Sequence, residues 1–439
     1  MRKTVLAVLM ALVALCAFAV AEETAEDWVK KGDELFAEGS LEEADQAWDN
    51  IQRYNESIKQ DLEENASAQV EEMWNRTYGG QGNDVSSSAI ETKDSGYVIA
   101  GWTDSYGAGK LDAWLIKTDA AGNEIWNETY GGLRDDVSYF VQETMDDKYI
   151  LIGRTKSYGV GDYDVWLIKT DSEGNEEWNR TFGGPNYDSG SSVLQTKDGG
   201  YIITGVTESY GAGDLDVWLI KTDSEGNEEW NRTFGGPLND SANSALKTKD
   251  GGYIFTGYTQ SYGIGDRDLW LVKTDSNGNE LWNKTFGGFN DDMGSSIREL
   301  NTGGYIIAGG VNAVYNAEVH RSAGDAWLIN VDRNGTMRWN KTLSFGNSGY
   351  NIATSIQETK DDGYILTGYS FGLGFQRAWA LKADQEGNLR WTKTFDRRGN
   401  KDLRSIKIVG NDEYLLAGSF GTYETGDLDA WMIKIKETQ

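Results

Sequence analysis

Asp216-Val-Trp-Leu-Ile-Lys-Thr-Asp-Ser-Glu-Gly-Asn-Glu-Glu-Trp-Asn-Arg-Thr-Phe-Gly-Gly236 decides the fold. The run from Asp216 to Lys221 is a short strand with large apolar residues on both sides. Asp223-Ser-Glu-Gly-Asn227 has the composition of a tight turn, and Glu229 to Phe234 is the strand that returns. Upstream, Ser189 to Thr196 reads as a strand of small residues, ended by the turn Lys197-Asp198-Gly199-Gly200. Tyr201 to Gly205 is the next strand, and Ser209-Tyr-Gly-Ala-Gly-Asp214 is the loop after it. Residues 189–240 therefore predict one antiparallel meander of four strands.

The unit repeats. Trp74, Trp126, Trp178, Trp230, Trp282, Trp339 and Trp391 form one series, and Trp114, Trp166, Trp218, Trp270, Trp327, Trp379 and Trp431 a second. Steps are 52 residues throughout, with one of 57 in each series, and the two series take 14 of the 17 tryptophans. Such a period marks stacked supersecondary units, and four short strands per unit predict a β-propeller. The first strand of each unit is rich in small residues (Ser86-Ser87-Ser88, Ser191-Ser192, Ser295-Ser296), as strands converging on a central axis require. The array begins with a fourth-type strand, Glu72 to Tyr78. It ends after three strands, Leu403–Val409, Tyr414–Gly418 and Asp429–Ile435. The expectation is an all-β, seven-bladed propeller over 71–439, whose last blade is completed by the first strand in a 3+1 closure that removes two sheet edges.

Composition agrees with short strands and tight turns: 54 glycines and 17 tryptophans against 2 prolines in 439 residues. With 41 basic and 70 acidic residues the formal charge is −29. That argues against nucleic acid, where Lys and Arg must neutralise phosphates, and against a polybasic grip on anionic lipid.

The unit Trp-Leu-Ile-Lys-Thr-Asp-x-x-Gly-Asn-x-x-Trp resembles the tryptophan-docking repeat of quinoprotein-like (PQQ-type) propellers. It is also similar to kelch-type repeats of secreted prokaryotic, often archaeal, surface proteins. The resemblance covers 71–439 and implies a propeller whose fourth-strand tryptophan wedges between blades. The Asp-to-Gly spacing of 3 is one shorter than is usual in the quinoprotein repeat, so the likeness implies the fold group and not the enzyme family. Quinoprotein dehydrogenases hold their cofactor with adjacent cysteines, which this chain does not have.

Before the repeats, Arg2 and Lys3, the apolar run Val5 to Val20 and Ala19-Val20-Ala21 predict a signal peptide over 1–21. Its removal would take the only cysteine, Cys16, and leave 39 basic against 70 acidic residues. The mature chain would then have no disulfide or thiolate metal site. Residues 22–70 are Glu/Ala-rich at helical spacing. Trp28, Gly32, Leu35, Phe36, Gly39, Ala44 and Ala47 resemble a single tetratricopeptide-like helical hairpin, a spacer or docking element. Secretion or display on the cell surface is the expected localisation.

With one histidine, His320, and no nucleophile elbow, triad hydrolysis and histidine–zinc chemistry are excluded on residue types. The expected function is a non-enzymatic binding or adhesion scaffold for an extracellular protein or surface glycan. A carbohydrate-active hydrolase using an Asp/Glu pair is the alternative. Strand order puts the fourth-to-first and second-to-third loops on one face, where binding is expected. The first set contributes Asp84, Asp136, Asp188, Asp240 and Asp292, with Asn351 and Asp402 at the divergent positions. The second contributes Tyr106, Tyr158, Tyr210 and Tyr262. The aspartates also suit turn caps. No cofactor is expected; calcium is the one ion the acidic loops leave open. The extra five residues of the array fall in the fifth unit, where 312–322 predicts a larger loop carrying Tyr315, Glu318, His320 and Arg321. Six fourth strands contain Trp-Asn-x-Thr, a formal sequon that strand repetition also explains. Asn239 and Asn334, both in predicted loops, are the favoured glycosylation sites.

Overall fold

In the computed structural model, residues 70–316, 321–343, 350–372, 375–395, 400–421 and 427–438 are described. The chain divides into two compact units, Met1–Glu64 and Asn65–Gln439, and all described residues lie in the second. The expected signal peptide and helical hairpin fall outside the described residues.

Among the described residues the chain is all strand, β1 to β28, with no helix. Four-stranded antiparallel meanders follow one another: β2–β5 (84–130), β6–β9 (136–182), β10–β13 (188–234) and β14–β17 (240–286). Then come β18–β21 (291–343) and β22–β25 (350–394), joined by a single parallel bridge between Gly324 of β20 and Tyr350 of β22. Last, β26–β28 (401–437) take up β1 (Val70–Tyr78), which pairs antiparallel with β28 from Val70↔Glu437 to Tyr78↔Ala430. These meanders are numbered below as the first to seventh units.

The units form for the reasons their sequences give. Asp216–Thr222 is β12 and Glu228–Phe234 is β13, in register from Val217↔Phe234 to Thr222↔Glu228. Third strands such as Asp216–Thr222 are buried on both faces, because each unit packs on a neighbour at either side. The apolar core accordingly lies between units. Val98, Ala100 and Leu115 of the first unit share one cluster with Val141, Leu151 and Trp166 of the second. Tyr97, Ile99 and Trp114 of the first unit share another with Leu415, Ala417 and Met432 of the seventh.

Two features explain the repeated motif. The fourth-strand tryptophan reaches the next unit: a Cβ added at Gly226, whose φ is +78, would lie 2.7 Å from Cζ3 of Trp178. A glycine there meets both the turn conformation and the close approach. The motif lysine is the second feature. Lys117, Lys169, Lys221, Lys273 and Lys382 are buried, and each pairs with the aspartate of the first-to-second turn in its unit. Lys117 Nζ to Asp94 is 2.7 Å, and these partners, with the Thr92 hydroxyl and the Gly96 N–H, hold the Asp94 carboxyl down to about 2 against its burial.

First strands line an axial channel. Ser87, Ser88, Ser191, Ser192, Ser244, Ser296, Ser355 and Ser405 border a cavity of about 360 Å³. Small residues thus surround the channel, with the larger Tyr139, Phe140, Arg298, Arg404 and Lys407 among them.

Candidate functional site

Register places both named loop sets at one end of the strands: Asp84 pairs with Thr103, Thr103 with Asp112, and Ala113 with Tyr130. The loops interlock between units. The N–H of Asp136 donates to Leu111 O at 2.7 Å, Asp188 to Tyr163 O at 2.8 Å, and Asp240 to Leu215 O at 2.6 Å. A rigid collar results.

The aspartates expected at this face lie beneath it. Asp84, Asp136, Asp188, Asp240 and Asp292 are fully buried. Asp84 accepts hydrogen bonds from the Thr103 hydroxyl, from Ser105 Oγ at 2.7 Å and from the Gly80 N–H at 2.8 Å. Asp136 accepts from Gly132 N–H, Asp188 from Gly184 N–H and Ser209 Oγ, Asp240 from Gly236 N–H and Ser261 Oγ, and Asp292 from Gly288 N–H. The arrangement is that of the turn caps these aspartates also suited in sequence: the turn needs their carboxylates to satisfy its own donors. Asn351 and Asp402 are likewise buried, Asn351 donating to Gly324 O and Asp402 accepting from Ser419 N–H.

A second aspartate faces each of these across the seam between units: Asp112, Asp164, Asp216 and Asp268 are buried, and Asp429 is half-buried. Asp112, Asp164, Asp216, Asp268 and Asp429 have pKa values raised above the ordinary carboxylate range. Burial is the main cause, and the facing carboxylate (Asp136, Asp188, Asp240, Asp292 and Asp84 respectively) adds to it. Among the described residues no cluster of three or more acidic, histidine or cysteine side chains is arranged to hold a metal ion.

The tyrosines do stand at the surface. Tyr106, Tyr158, Tyr210 and Tyr262 are each about half exposed. Their hydroxyls are tied down, donating to the carbonyls of Gly79, Gly131, Gly183 and Gly235 at 2.8–3.1 Å. Each ring leans on the third-strand tryptophan of its unit, with centroids 5.7 Å apart for Tyr106–Trp114 and 5.3 Å for Tyr210–Trp218. Burial, then the nearby aspartate, raises the phenol pKa of Tyr106, Tyr158 and Tyr262. The rings are therefore fixed and displayed.

Sequence reasoning missed their neighbours. Leu133 (84% exposed), Val160 (79%) and Phe289 (82%), with Leu238 and Ile264, lie in the same loops. Together with the tyrosines they make an exposed apolar collar over the first five units of a strongly acidic protein. Each looks unremarkable in its own loop; only laying the repeats over one another would have found them.

The fifth-unit insertion is not a larger open loop. It lengthens β19 (Tyr305–Asn316) and β20 (Arg321–Val331), with Val314↔Ala323, Tyr315↔Ser322 and Asn316↔Arg321 paired. Added residues found ladder partners, which satisfies their backbone better than an open loop. Tyr315 thus sits in a hairpin arm, and His320 lies outside the described residues.

Of the sequons, Asn334 is exposed in a turn, while Asn239 is half-buried, its carbonyl accepting from Gln260 N–H. Strand asparagines have another role: Asn127 Oδ1 accepts from Trp114 Nε1 at 3.0 Å, Asn231 from Trp218 at 3.2 Å and Asn75 from Trp431 at 2.9 Å. In these units the recurring asparagine thus satisfies a buried indole N–H.

A second cavity, about 400 Å³, opens at the other end between the sixth and seventh units. Its buried Lys382 is already paired with Asp361 at 3.0 Å and lies 3.6 Å from Glu437, so it offers a ligand little free charge.

No protein-family model matches the chain. The regulatory protein FlaEY of Caulobacter vibrioides is 26% identical over 256 residues, which cover 50% of this chain and 26% of that protein. The match thus spans about a quarter of that relative's length. Among solved structures, the WD40 domain of Neurospora crassa Pan2 superposes with a TM-score of 0.50 at 8% identity, over 84% of this chain and 96% of that one. Sqt1 of Chaetomium thermophilum gives 0.45 at 10%, over 82% and 97%. At such identities the likeness is one of fold, and with the repeated four-stranded sheets it makes this chain a β-propeller.

Proposed function

We propose that the protein is a secreted, seven-bladed propeller, closed by β1 on β28, that works as a non-enzymatic binding scaffold through its loop face. The carrying observation is the apolar collar: Tyr106, Leu133, Tyr158, Val160, Tyr210 and Phe289 displayed on interlocked loops of a chain with a charge of −29. Leaving such side chains in water is unfavourable, and grouped on one face they mark a partner surface. A protein, or a glycan stacking its sugar faces on the tyrosines, is the ligand class in keeping with this chemistry. The seven-blade reading rests on the seven meanders and on the β1–β28 register. Secretion rests on the leader-like residues 1–21.

Against a hydrolase stands the burial of the facing aspartate pairs, which hold backbone donors instead of opening to a cleft. The discriminating experiment incubates the protein with a polysaccharide panel and follows reducing ends, alongside a glycan and surface-protein array. Binding without product supports the scaffold, whereas product release abolished by one carboxylate substitution overturns it.

A further inference from the structure

We propose that the axial channel binds a small oxyanion, a carboxylate or a phosphate, between Arg298 and Lys407. This site is separate from the loop face and does not depend on it.

Equivalent positions of the seven first strands, at one level of the channel, are Ile90, Gln142, Leu194, Leu246, Arg298, Gln357 and Lys407. Four successive units place only neutral side chains there. The next three place Arg298, Gln357 and Lys407 side by side, all three lining the cavity of about 360 Å³. Among the described residues neither cation has a carboxylate partner. Arg298 Nε donates to Gln357 Oε1 at 3.3 Å and its Nη1 to its neighbour Ile297 O at 2.6 Å. Lys407 Nζ lies 5.9 Å from the centre of the Phe140 ring. Arg404, at the next level, is neutralised by Asp402 at 2.8 Å and contributes little.

Two like charges share a confined space in a protein with 70 acidic residues, and no described carboxylate pairs with either of them. Both side chains are half-buried in a channel that is open to water, so the penalty is a partial one. Its direction is clear: crowding by the protein, and then the Arg298 charge, push the Lys407 ammonium down to about 7, and crowding pushes Arg298 down to about 10. An oxyanion would remove that penalty by pairing with both. Hydroxyls complete the cradle. Ser296 Oγ and Ser355 Oγ accept from the Ile356 and Ile406 N–H groups, which leaves their protons free to donate into the channel they line. The small cavity suits a single acidic group or the end of a chain.

The test is calorimetric titration of the full chain with sodium phosphate and with sodium succinate, each against sodium chloride at equal ionic strength. Arg298→Leu and Lys407→Leu are the variants, since leucine already fills the equivalent position at Leu194 and Leu246. Lys407→Gln serves as a second variant of similar length. Saturable binding of at least one anion, weakened tenfold or more in the variants, is expected; which anion binds names the source. Heat no greater than the chloride control for both anions, or unchanged affinity in folded Lys407→Leu and Lys407→Gln, overturns the proposal.

Discussion

Trp178 of the second unit lies against the backbone of Gly226 in the third, so close that a Cβ on the glycine would stand 2.7 Å from Cζ3 and 2.9 Å from Cη2 of the indole. The same wedge recurs at Trp126–Gly174, Trp230–Gly278, Trp282–Gly335 and Trp339–Gly387. Stability of the array rests on these seams. Gly226→Ala is expected to cost about 1–3 kcal/mol through the positive φ and the displaced indole, read by thermal or denaturant unfolding. Ser224→Ala, in the same turn, should change stability little.

Removing 70–78 deletes the strand that pairs with β28 and buries Val70 and Tyr78. The edge left on β28 would expose unpaired backbone groups. A loss on the order of 3 kcal/mol or more is expected, with a shift toward dimers or aggregates in light scattering. A truncated chain that melts like the parent and stays monomeric would show that β1 does not close the ring.

Two sets of aspartates pull stability in opposite directions with pH. Asp94 and Asp198 are held down to about 2, so their contribution is whole above roughly pH 4 and disappears as pH falls toward 2. Asp112, Asp164, Asp216 and Asp268 have raised values, so theirs is whole below roughly pH 4 and is lost as pH rises through the folded value. Thermal stability should therefore peak in mild acid. Asp216→Asn keeps an oxygen for the Ala212 and Gly213 N–H groups and removes the charge facing Asp240. It should raise stability at neutral pH and flatten the fall above the peak; a lowered neutral-pH midpoint would refute the facing-charge account.

In a glycosylating host, Asn334 should carry glycan before any strand sequon, because it is exposed in a turn while Asn127 and Asn231 serve buried indoles. Intact mass should lose a glycan on Asn334→Gln and change only by the added methylene on Asn231→Gln. The second variant should instead lose about 1 kcal/mol of stability, since its longer side chain misplaces the acceptor for Trp218 Nε1.

Much of the fold was legible because its signal is local and repeated. Trp218, Gly226 and Trp230 fix two strands and a turn within 13 residues, and each 52-residue step tests the reading again. Roles that depend on distant residues were not legible. Arg298 and Lys407 are 109 positions apart and meet only because first strands share an axis. The collar residues Leu133, Val160 and Phe289 belong to separate loops that converge through inter-unit hydrogen bonds. The aspartates were visible, but whether a carboxylate faces solvent or its own turn is decided by Ser105 and Gly80, not by Asp84 itself. The insertion misled because extra length reads as a loop, whereas pairing such as Tyr315↔Ser322 absorbs it into the ladder.

The most direct test of the binding face compares three proteins on one array of glycans and cell-surface proteins. They are the wild type, the triple variant Leu133→Asp, Val160→Asp, Phe289→Asp, and a control with Ser224→Asp and Asn277→Asp in turns at the opposite end. All three substituted collar side chains are exposed, so folding and melting should be retained. The account predicts a ligand held by the wild type and the control and lost by the triple variant. Binding that survives the triple variant, or that disappears only in the opposite-turn control, would contradict it.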